Sequence, residues 1–174
     1  MKKNIVLIGM PGVGKSTIGV IAAKQLGFQF VDADLLIQQQ EKRLLSEIIA
    51  QDGIDGFLQI ENQVNSSIHA DRSIISTGGS VVYGVEAMEH LKSIGTVVYL
   101  KLSYDALKLR LHNLKDRGVV LREGQTLQDL YQERTPLYER YADIVVEEDG
   151  LDIEKTREEL ERRIKIFWRS MSPQ

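Results

Sequence analysis

The sequence predicts an α/β fold in which a parallel β-sheet lies between two layers of helices, a three-layer α/β/α sandwich. Five short apolar runs rich in β-branched residues are typical of buried parallel strands, which are apolar throughout because both of their faces are covered. Helical patterns separate these runs, and such strand–helix alternation indicates parallel pairing. The 174 residues contain no repeat or linker, so we expect a single domain over residues 1–174.

The strands are predicted from the first apolar run, NIVLI, and from four later runs of similar composition. They cover Asn4–Ile8, Phe28–Val31, Ser73–Thr77, Thr96–Leu102 and Asp143–Glu147. Between them the apolar residues have helical spacing, with Gly27 as a predicted helix end and Ser103 and Asp152 as predicted N-caps. The predicted helices cover Thr17–Leu26, Leu35–Arg43, Ser46–Gln51, Ile54–His69, Val85–Lys92, Tyr104–His112 and Asp152 to about Trp168.

Residues 113–125, NLKDRGVVLREGQ, follow neither the helical nor the strand period. A loop of this length inside a compact domain is usually functional, so we predict that it forms a lid. A second irregular point is Pro136, where we expect a helix that carries Arg134 to break or kink, because proline lacks the N–H of a helical hydrogen bond.

Composition excludes several classes of function. The net charge of −3 provides no global field that attracts nucleic acid, and the absence of cysteine excludes disulfides, zinc thiolates and thiol nucleophiles. No apolar run approaches the roughly 18 residues of a membrane span, and the start of the chain lacks the pattern of a signal peptide. We therefore expect a cytoplasmic protein that binds neither nucleic acid nor membrane.

The segment GMPGVGKST, Gly9–Thr17, matches the phosphate-binding pattern G-x-x-x-x-G-K-[ST]. It follows a predicted strand and opens a predicted helix, which is the context this loop requires. Glycines let backbone N–H groups approach phosphate oxygens, and the helix N-terminus favours negative charge. A lysine and a hydroxyl at the end of the loop hold the β- and γ-phosphates and Mg²⁺. The predicted nucleotide contacts in the loop are Gly9, Gly12, Val13, Gly14, Lys15, Ser16 and Thr17.

The acidic residues that accompany the loop are Asp32 and Asp34, directly after the second predicted strand. Two residues apart on an extended segment, both carboxylates would point to the same side. One could support Mg²⁺ and the other could take a proton from a hydroxyl, although a turn and a helix cap remain an alternative. The guanine-binding pattern N-K-x-D is not matched, since NLKD at residues 113–116 has its lysine displaced.

Taken together, these segments resemble the shikimate kinase family, over roughly residues 4–147. The resemblance rests on GMPGVGKST, DAD, STGG, an LRL…DR pattern that enters the predicted lid, and RTPLYERYAD. It implies a P-loop kinase fold whose five-stranded parallel sheet has the order 2-3-1-4-5, and a monomer. It also implies transfer of the γ-phosphate of ATP to a ring hydroxyl of shikimate, the acceptor. Acceptor-binding helices would then lie at about residues 33–69.

The resemblance assigns a role to each matching residue. Lys15 and Ser16 would act on ATP and Mg²⁺, and Asp32 would lie just behind the direct metal ligands. Asp34 would bind the acceptor hydroxyls and could act as base, while Gly78 and Gly79 would present backbone N–H groups. Three arginines complete the site, for stacking on adenine, closing the lid on the phosphates and pairing with the acceptor carboxylate: Arg110, Arg117 and Arg134.

The chain departs from the family pattern at three places. Leu58 replaces the arginine that assists Arg134, and this change leaves Glu61 without its usual partner. Ser80 replaces a third glycine after TGG, and the glycine at position 118 replaces the proline of the lid motif, which makes Arg122 a rival to Arg117. Two departures lie on the acceptor side, so we expect ATP use to be retained and the acceptor to be shikimate or a related cyclic or polyol acid.

The predicted site therefore consists of three sets. The catalytic residues are Lys15, Asp34 and Arg117, the acceptor-binding residues are Asp34, Leu58, Gly78, Gly79, Ser80 and Arg134, and the metal-supporting residues are Ser16 and Asp32. Two alternatives to a small-molecule kinase remain at this stage. One is a nucleotide-binding module without catalytic activity, which Leu58 and Ser80 would favour, and the other is a nucleoside or nucleotide kinase.

Overall fold

In a computed structural model, which describes residues 4–111 and 119–171, five parallel strands form one sheet in the order β2-β3-β1-β4-β5. This order confirms the one implied by the family resemblance. Every residue of β1 is buried, which shows that helices cover both faces of the sheet. The strands are β1 Asn4–Ile8, β2 Gln29–Asp32, β3 Ser73–Ser76, β4 Gly95–Lys101 and β5 Ile144–Glu147.

Seven α-helices are described, together with a short 3-10 turn at Val81–Tyr83. The predicted caps are present, since Gly27 ends the first helix in the left-handed conformation and Ser103 accepts a hydrogen bond from the Ala106 N–H. The helices are α1 Lys15–Leu26, α2 Ala33–Glu41, α3 Leu45–Ser66, α4 Val85–Ile94, α5 Tyr104–Arg110, α6 Leu127–Tyr141 and α7 Ile153–Met171.

The register of the sheet brings the ends of three strands to one edge. Ser76 of β3 is paired with Leu7 of β1 on one side and with Asp32 of β2 on the other. The phosphate-binding loop leaves β1 one residue further on. Because carboxyl ends of parallel strands share an edge, three segments distant in sequence meet beside the start of α1.

Two helix predictions need correction. Helix α6 includes Pro136 within its bounds, so the helix does not end there, although the proline cannot donate the usual bond to the carbonyl of Gln132. The segment after β2 is not extended, since α2 begins at Ala33 and places Asp34 on its first turn. The two helices predicted at Ser46–Gln51 and Ile54–His69 correspond to the two parts of α3, which Gly53 interrupts with a φ of 72°.

Only part of the predicted lid lies within the described residues. Positions 119–125 contain no helix or strand, as expected for a loop. Positions 113–118, which include Arg117, lie outside the described residues. None of the helices within residues 4–111 and 119–171 is long and apolar enough to cross a membrane.

Candidate active site

The phosphate-binding loop is held open by three glycines whose backbone is left-handed. Gly9, Gly12 and Gly14 have φ values of 147°, 88° and 91°. A methyl group at Gly9 would lie 2.6 Å from the carbonyl oxygen of Leu100, so this position tolerates no side chain. The N-terminus of α1 follows, with its unpaired N–H groups at the end of the loop.

Lys15 is buried beneath this loop, with 8% of its surface exposed. Its Nζ donates hydrogen bonds to the carbonyl oxygens of Gly9, at 2.7 Å, and Met10, at 3.0 Å. Burial lowers the pKa of Lys15 to about 8, while the negative charge of Asp34 opposes that shift. The ammonium group is therefore tethered to the loop and short of compensating negative charge, which the phosphates of a nucleotide would supply.

Oxygen atoms suited to Mg²⁺ meet at the edge of the sheet. The Ser16 hydroxyl lies 3.3 Å from Asp32 Oδ2 and 3.1 Å from the hydroxyl of Ser76. Mg²⁺ prefers oxygen ligands and is usually held by one or two protein groups together with phosphate and water. Ser16 and Asp32 fit that requirement, and within the described part of the chain no cluster of three His, Cys, Asp or Glu side chains forms another metal site.

The second carboxylate of the pair is positioned by the first. Asp32 Oδ1 caps α2 by accepting hydrogen bonds from the N–H groups of Asp34, at 2.9 Å, and Leu35, at 3.3 Å. The helix cap and the metal-supporting role therefore belong to the same carboxylate, through different oxygens. Burial raises the pKa of the half-buried Asp34, Asp32 adds to that rise, and the charge of Lys15 opposes it.

Two cavities meet at Asp34. One of about 280 Å³ lies along the phosphate loop and is lined by Lys15, Ser16 and Asp34. The other, of about 290 Å³, extends between α3, α6 and the end of β3. We call the second one the acceptor cavity. The two cavities share Pro11, Asp34, Gly78 and Gly79. A carboxylate therefore lines both a phosphate-binding loop and a separate pocket beside it.

The glycines after β3 leave room for an acceptor at this junction. A methyl group at Gly78 would lie 2.6 Å from Glu61 Oε2 and 3.0 Å from Asp34 Oδ1. A methyl group at Gly79 would lie 2.7 Å from Pro11 Cδ and 3.0 Å from a guanidinium nitrogen of Arg134. Any side chain at these two positions would therefore fill the junction of the two cavities, whereas glycine leaves that space for an acceptor.

Arg134 lies on the wall of the acceptor cavity, with 2% of its surface exposed. Its Nε donates to the hydroxyl of Tyr83 at 3.3 Å, and its guanidinium lies 5.3 Å from the centre of that ring. Within the described residues no carboxylate forms an ion pair with Arg134. A buried guanidinium that faces a cavity without a carboxylate partner is suited to an anionic group of a ligand.

Comparisons with known proteins agree with this geometry. The family model described as shikimate kinase matches residues 11–165. A shikimate kinase of Chlorobium chlorochromatii is 37% identical over 179 residues, which covers 97% of this chain and 94% of that protein. Another, of Thermodesulfovibrio yellowstonii, is 37% identical and covers 91% of this chain and 92% of its own length. This chain belongs to the shikimate kinase family.

Solved structures of shikimate kinases have the same fold. The enzyme of Acinetobacter baumannii, in complex with shikimate, has a TM-score of 0.82 at 27% identity, with 98% of this chain and 96% of that chain covered. The Aquifex aeolicus enzyme has a TM-score of 0.78 at 28% identity, with 93% and 96% covered. These comparisons confirm the resemblance and favour a kinase over a module without catalytic activity and over a nucleoside kinase.

One of the departures from the family pattern, Ser80, contacts a buried glutamate on the wall of the acceptor cavity. The hydroxyl of Ser80 donates a 2.6 Å hydrogen bond to Oε1 of Glu61, which is 2% exposed. The serine thus supplies a partner for the glutamate that lacks its usual arginine. The other oxygen, Glu61 Oε2, has no hydrogen-bond partner within the described residues and lies beside Gly78. Burial raises the pKa of Glu61 to about 7, and the hydrogen bond from Ser80 opposes the rise.

Leu58, the other acceptor-side departure, lines a smaller side cavity adjoining the acceptor cavity. The side cavity measures about 130 Å³ and shares Ile54, Val120 and Arg134 with its neighbour. Arg122, the rival predicted for the lid role, also lines the side cavity and pairs with Asp55 of α3 at 2.6 Å. Arg122 is therefore on the acceptor side of the protein.

The nucleotide side extends in the opposite direction from the loop. A cavity of about 740 Å³ is lined by Gly12, Thr17, Arg110 and Glu148, so Arg110, the predicted adenine contact, shares a cavity with the phosphate loop. Arg110 lies 3.5 Å from the buried carboxylate of Glu148, whose pKa burial raises to about 7. Neither oxygen of Glu148 has a hydrogen-bond partner within the described residues.

Several residues of the site were not identified from the sequence. Tyr83, beside Arg134, has no local pattern that marks it, whereas Ser76, beside Ser16, and Pro11, between the cavities, lie within STGG and GMPGVGKST but had no role assigned. Tyr138, the first tyrosine of RTPLYERYAD, is fully buried and donates a 2.5 Å hydrogen bond to the carbonyl of Gly79. The RTPLY pattern provided a signal for this tyrosine, whereas the others required the packed structure.

Proposed function

We propose that this protein transfers the γ-phosphate of ATP to a hydroxyl group of shikimate. Family membership supports the reaction, and the position of Asp34 between the phosphate loop and the acceptor cavity carries it in structural terms. A carboxylate there can orient a hydroxyl toward a bound γ-phosphate. Catalysis of this kind is mainly positioning and electrostatic stabilisation.

Lys15 and Asp34 have the main roles in this proposal. As the acceptor oxygen bonds to the γ-phosphorus, its proton passes to Asp34 and the bond to the β–γ bridging oxygen breaks, releasing ADP. The raised pKa of Asp34 makes it a better proton acceptor than an exposed carboxylate. Lys15 stabilises the transferred charge from the loop, and we propose that Arg117 assists from the predicted lid. Mg²⁺, held through Ser16 with Asp32 behind it, would neutralise phosphate charge when bound.

On the acceptor side, Arg134 supplies a fixed cation for the shikimate carboxylate. Its guanidinium is held by Tyr83 and lies next to Gly79, so little conformational freedom is lost on binding. Gly78 and Gly79 line both cavities, and we propose that their backbone N–H groups contact the acceptor there. We propose that the protein acts in the cytoplasm, as composition and the absence of a signal pattern lead us to expect, and as a monomer, as the family resemblance implies.

The proposal is tested by coupled ADP release with Mg²⁺, ATP and shikimate. Lys15→Ala should lower kcat by about a hundred-fold or more, because a preorganised donor of the phosphate loop is lost. Lys24→Ala is the matched control, since Lys24 is exposed near the other end of α1. ATP binding without any shikimate-dependent ADP release in the unaltered protein would contradict the proposal and favour a module without catalytic activity.

A second variant tests the acceptor assignment. Leu58→Arg restores the residue of the family pattern beside Arg134. If the unaltered protein uses shikimate weakly and this variant uses it better, with the KM for ATP unchanged, the acceptor cavity is correctly assigned. Phosphorylation of a nucleoside monophosphate in place of shikimate would support a nucleotide kinase.

A further inference from the structure

The side cavity contains a second cation that the assigned site does not use. Leu58, Arg122 and Arg134 all line it, so the cavity wall carries two arginines and a leucine where the family pattern has an arginine. Arg134 is buried and fixed, whereas 54% of the Arg122 side chain is exposed. An anion bound by Arg134 would have Arg122 as the next cation along the cavity wall.

The backbone of Arg122 is anchored beside Arg134 through a chain of hydrogen bonds. The Arg122 N–H donates to Gln125 Oε1 at 3.2 Å, and Gln125 Nε2 donates to Glu133 Oε2 at 2.9 Å. The hydroxyl of Tyr83, which contacts Arg134, donates to the other oxygen of Glu133 at 3.1 Å. Both carboxylate oxygens of Glu133 thus accept hydrogen bonds, from Tyr83 and from Gln125.

In this structure the Arg122 side chain is paired with Asp55. Their atoms lie 2.6 Å apart, but 77% of the Asp55 side chain is exposed, so water can replace the interaction at little cost. A ligand carboxylate in a partly enclosed cavity offers arginine a stronger, two-pronged contact. The exposed pair with Asp55 therefore competes weakly with such a ligand.

We propose that Arg122 leaves Asp55 and binds the carboxylate of the acceptor together with Arg134. This inference rests on the proposed function, because it assumes an acceptor with a carboxylate. Arg122 replaces the cation that Leu58 does not provide, from a different segment of the chain. It is a specificity-determining residue for an acidic acceptor.

The test measures the KM for shikimate and for ATP in Arg122→Ala and Arg122→Lys. Arg122→Ala should raise the KM for shikimate about ten- to a hundred-fold, the effect of one charge-assisted contact, and Arg122→Lys should have an intermediate value. The KM for ATP should not change. Arg43→Ala is the matched control. Arg43 pairs with Asp52, which like Asp55 belongs to α3, but Arg43 does not line the side cavity.

Asp55→Asn distinguishes a role of Arg122 in ligand binding from a purely structural role, in which its ion pair with Asp55 holds the loop against α3. If Arg122 exchanges Asp55 for the substrate, removing the competing charge should lower the KM for shikimate. If the ion pair only holds the loop against α3, Asp55→Asn and Arg122→Ala should instead raise the KM for shikimate to a similar extent. The neutral methyl ester of shikimate provides a further readout, because its weaker binding should be insensitive to Arg122→Ala.

Three results would overturn the inference. An unchanged KM for shikimate in Arg122→Ala would exclude the contact with the carboxylate. A raised KM for ATP would assign Arg122 to the phosphates, and equal losses of shikimate binding in Asp55→Asn and Arg122→Ala would assign Arg122 to holding the loop against α3. In each case activity of the unaltered protein on shikimate would leave the proposed function intact. Absence of both ADP release and calorimetric binding with shikimate would contradict both proposals.

Discussion

At the scale of single residues, Asp34 has an environment that suits proton acceptance. It is half-buried, its pKa is raised by burial and by Asp32, and Lys15 limits the rise. The carboxylate therefore keeps affinity for a proton without being fully neutralised by an ion pair. It also lines both cavities, so its chemistry can reach the acceptor and the phosphate at once.

Asp34→Asn should retain the shape of the site and remove the proton acceptor. We expect kcat to fall by about a hundred-fold or more, as general-base contributions typically do, with little change in the KM for ATP. Coupled ADP release measures both values. Asp105→Asn, at an exposed position on the first turn of α5, should leave kcat unchanged. A kcat near that of the unaltered protein would show that Asp34 only orients the acceptor.

At the scale of elements, the junction of β2 and α2 combines a helix cap with a metal site. Asp32 caps α2 through Oδ1 and contacts Ser16 through Oδ2. Neither function requires a separate residue, because an aspartate at the end of a strand offers two oxygens in different directions. The same carboxylate therefore ties the start of an acceptor-side helix to the nucleotide loop.

Asp32→Asn separates these two functions. Asparagine caps helices as well as aspartate does, so the melting temperature should stay within about 2 °C of the unaltered value. The loss of charge should raise the Mg²⁺ concentration for half-maximal activity about ten-fold. Thermal melts and Mg²⁺ titrations measure the two effects, with Asp129→Asn on the first turn of α6 as control. A lowered melting temperature with unchanged Mg²⁺ dependence would assign Asp32 to the cap alone.

A second link between elements joins α3 to the segment after β3 through Glu61 and Ser80. Glu61 has a pKa of about 7 in the folded protein and an ordinary value of 4.5 when exposed. The folded chain therefore binds the proton more tightly than the unfolded chain does. The contribution of Glu61 to the free energy of unfolding therefore falls as pH rises between these two values. Above about pH 7 the carboxyl group is ionised in both states, and the loss of stability is complete.

Glu61→Gln removes this pH dependence while keeping an oxygen for Ser80. Relative to the unaltered protein, the variant should gain stability between about pH 5 and about pH 8, by on the order of 2 kcal/mol. Urea unfolding at both pH values measures the difference, and the similar contribution of Glu148 cancels because both proteins contain it. If the free energies of unfolding of the two proteins differ by the same amount at both pH values, the pKa of Glu61 is not raised by folding.

At the scale of the whole molecule, three cavities follow one edge of the sheet. They are the 740 Å³ cavity on the nucleotide side, the cavity along the phosphate loop and the acceptor cavity, and they are lined by segments after β1, β2, β3 and β5, by the end of α5, the start of α7 and the middle of α6. Ligands at this edge contact many elements at once. Binding should therefore stabilise the entire fold rather than one segment.

A non-hydrolysable ATP analogue with Mg²⁺ should raise the melting temperature of the protein. At a concentration of about 100 times its dissociation constant, the expected gain is about 2.7 kcal/mol, or about 5–10 °C for a chain of this size. Thermal melts with and without the analogue measure the shift. Lys15→Ala should show a much smaller shift at the same concentration, and an equal shift would contradict the role of Lys15 in phosphate binding.

Much of this fold was predictable from local pattern. The five apolar runs predicted the strands to within one residue, and Gly27 and Ser103 marked helix ends through their own backbone chemistry. The strand order was implied by the family motifs rather than by the runs. Helix α6 was harder, because its packing keeps a helical backbone through Pro136 despite the lost hydrogen bond.

By itself, the sequence determined the phosphate loop, the parallel sheet and the family, because glycine spacing and apolar periodicity act within a few residues of the chain. Only the tertiary structure decided that Ser80 contacts Glu61, that Arg122 lies in a cavity with Leu58 and Arg134, and that Asp32 divides its oxygens between a cap and Ser16. Those contacts join residues far apart in sequence. They depend on how the helices pack against the sheet, and no local period encodes that packing.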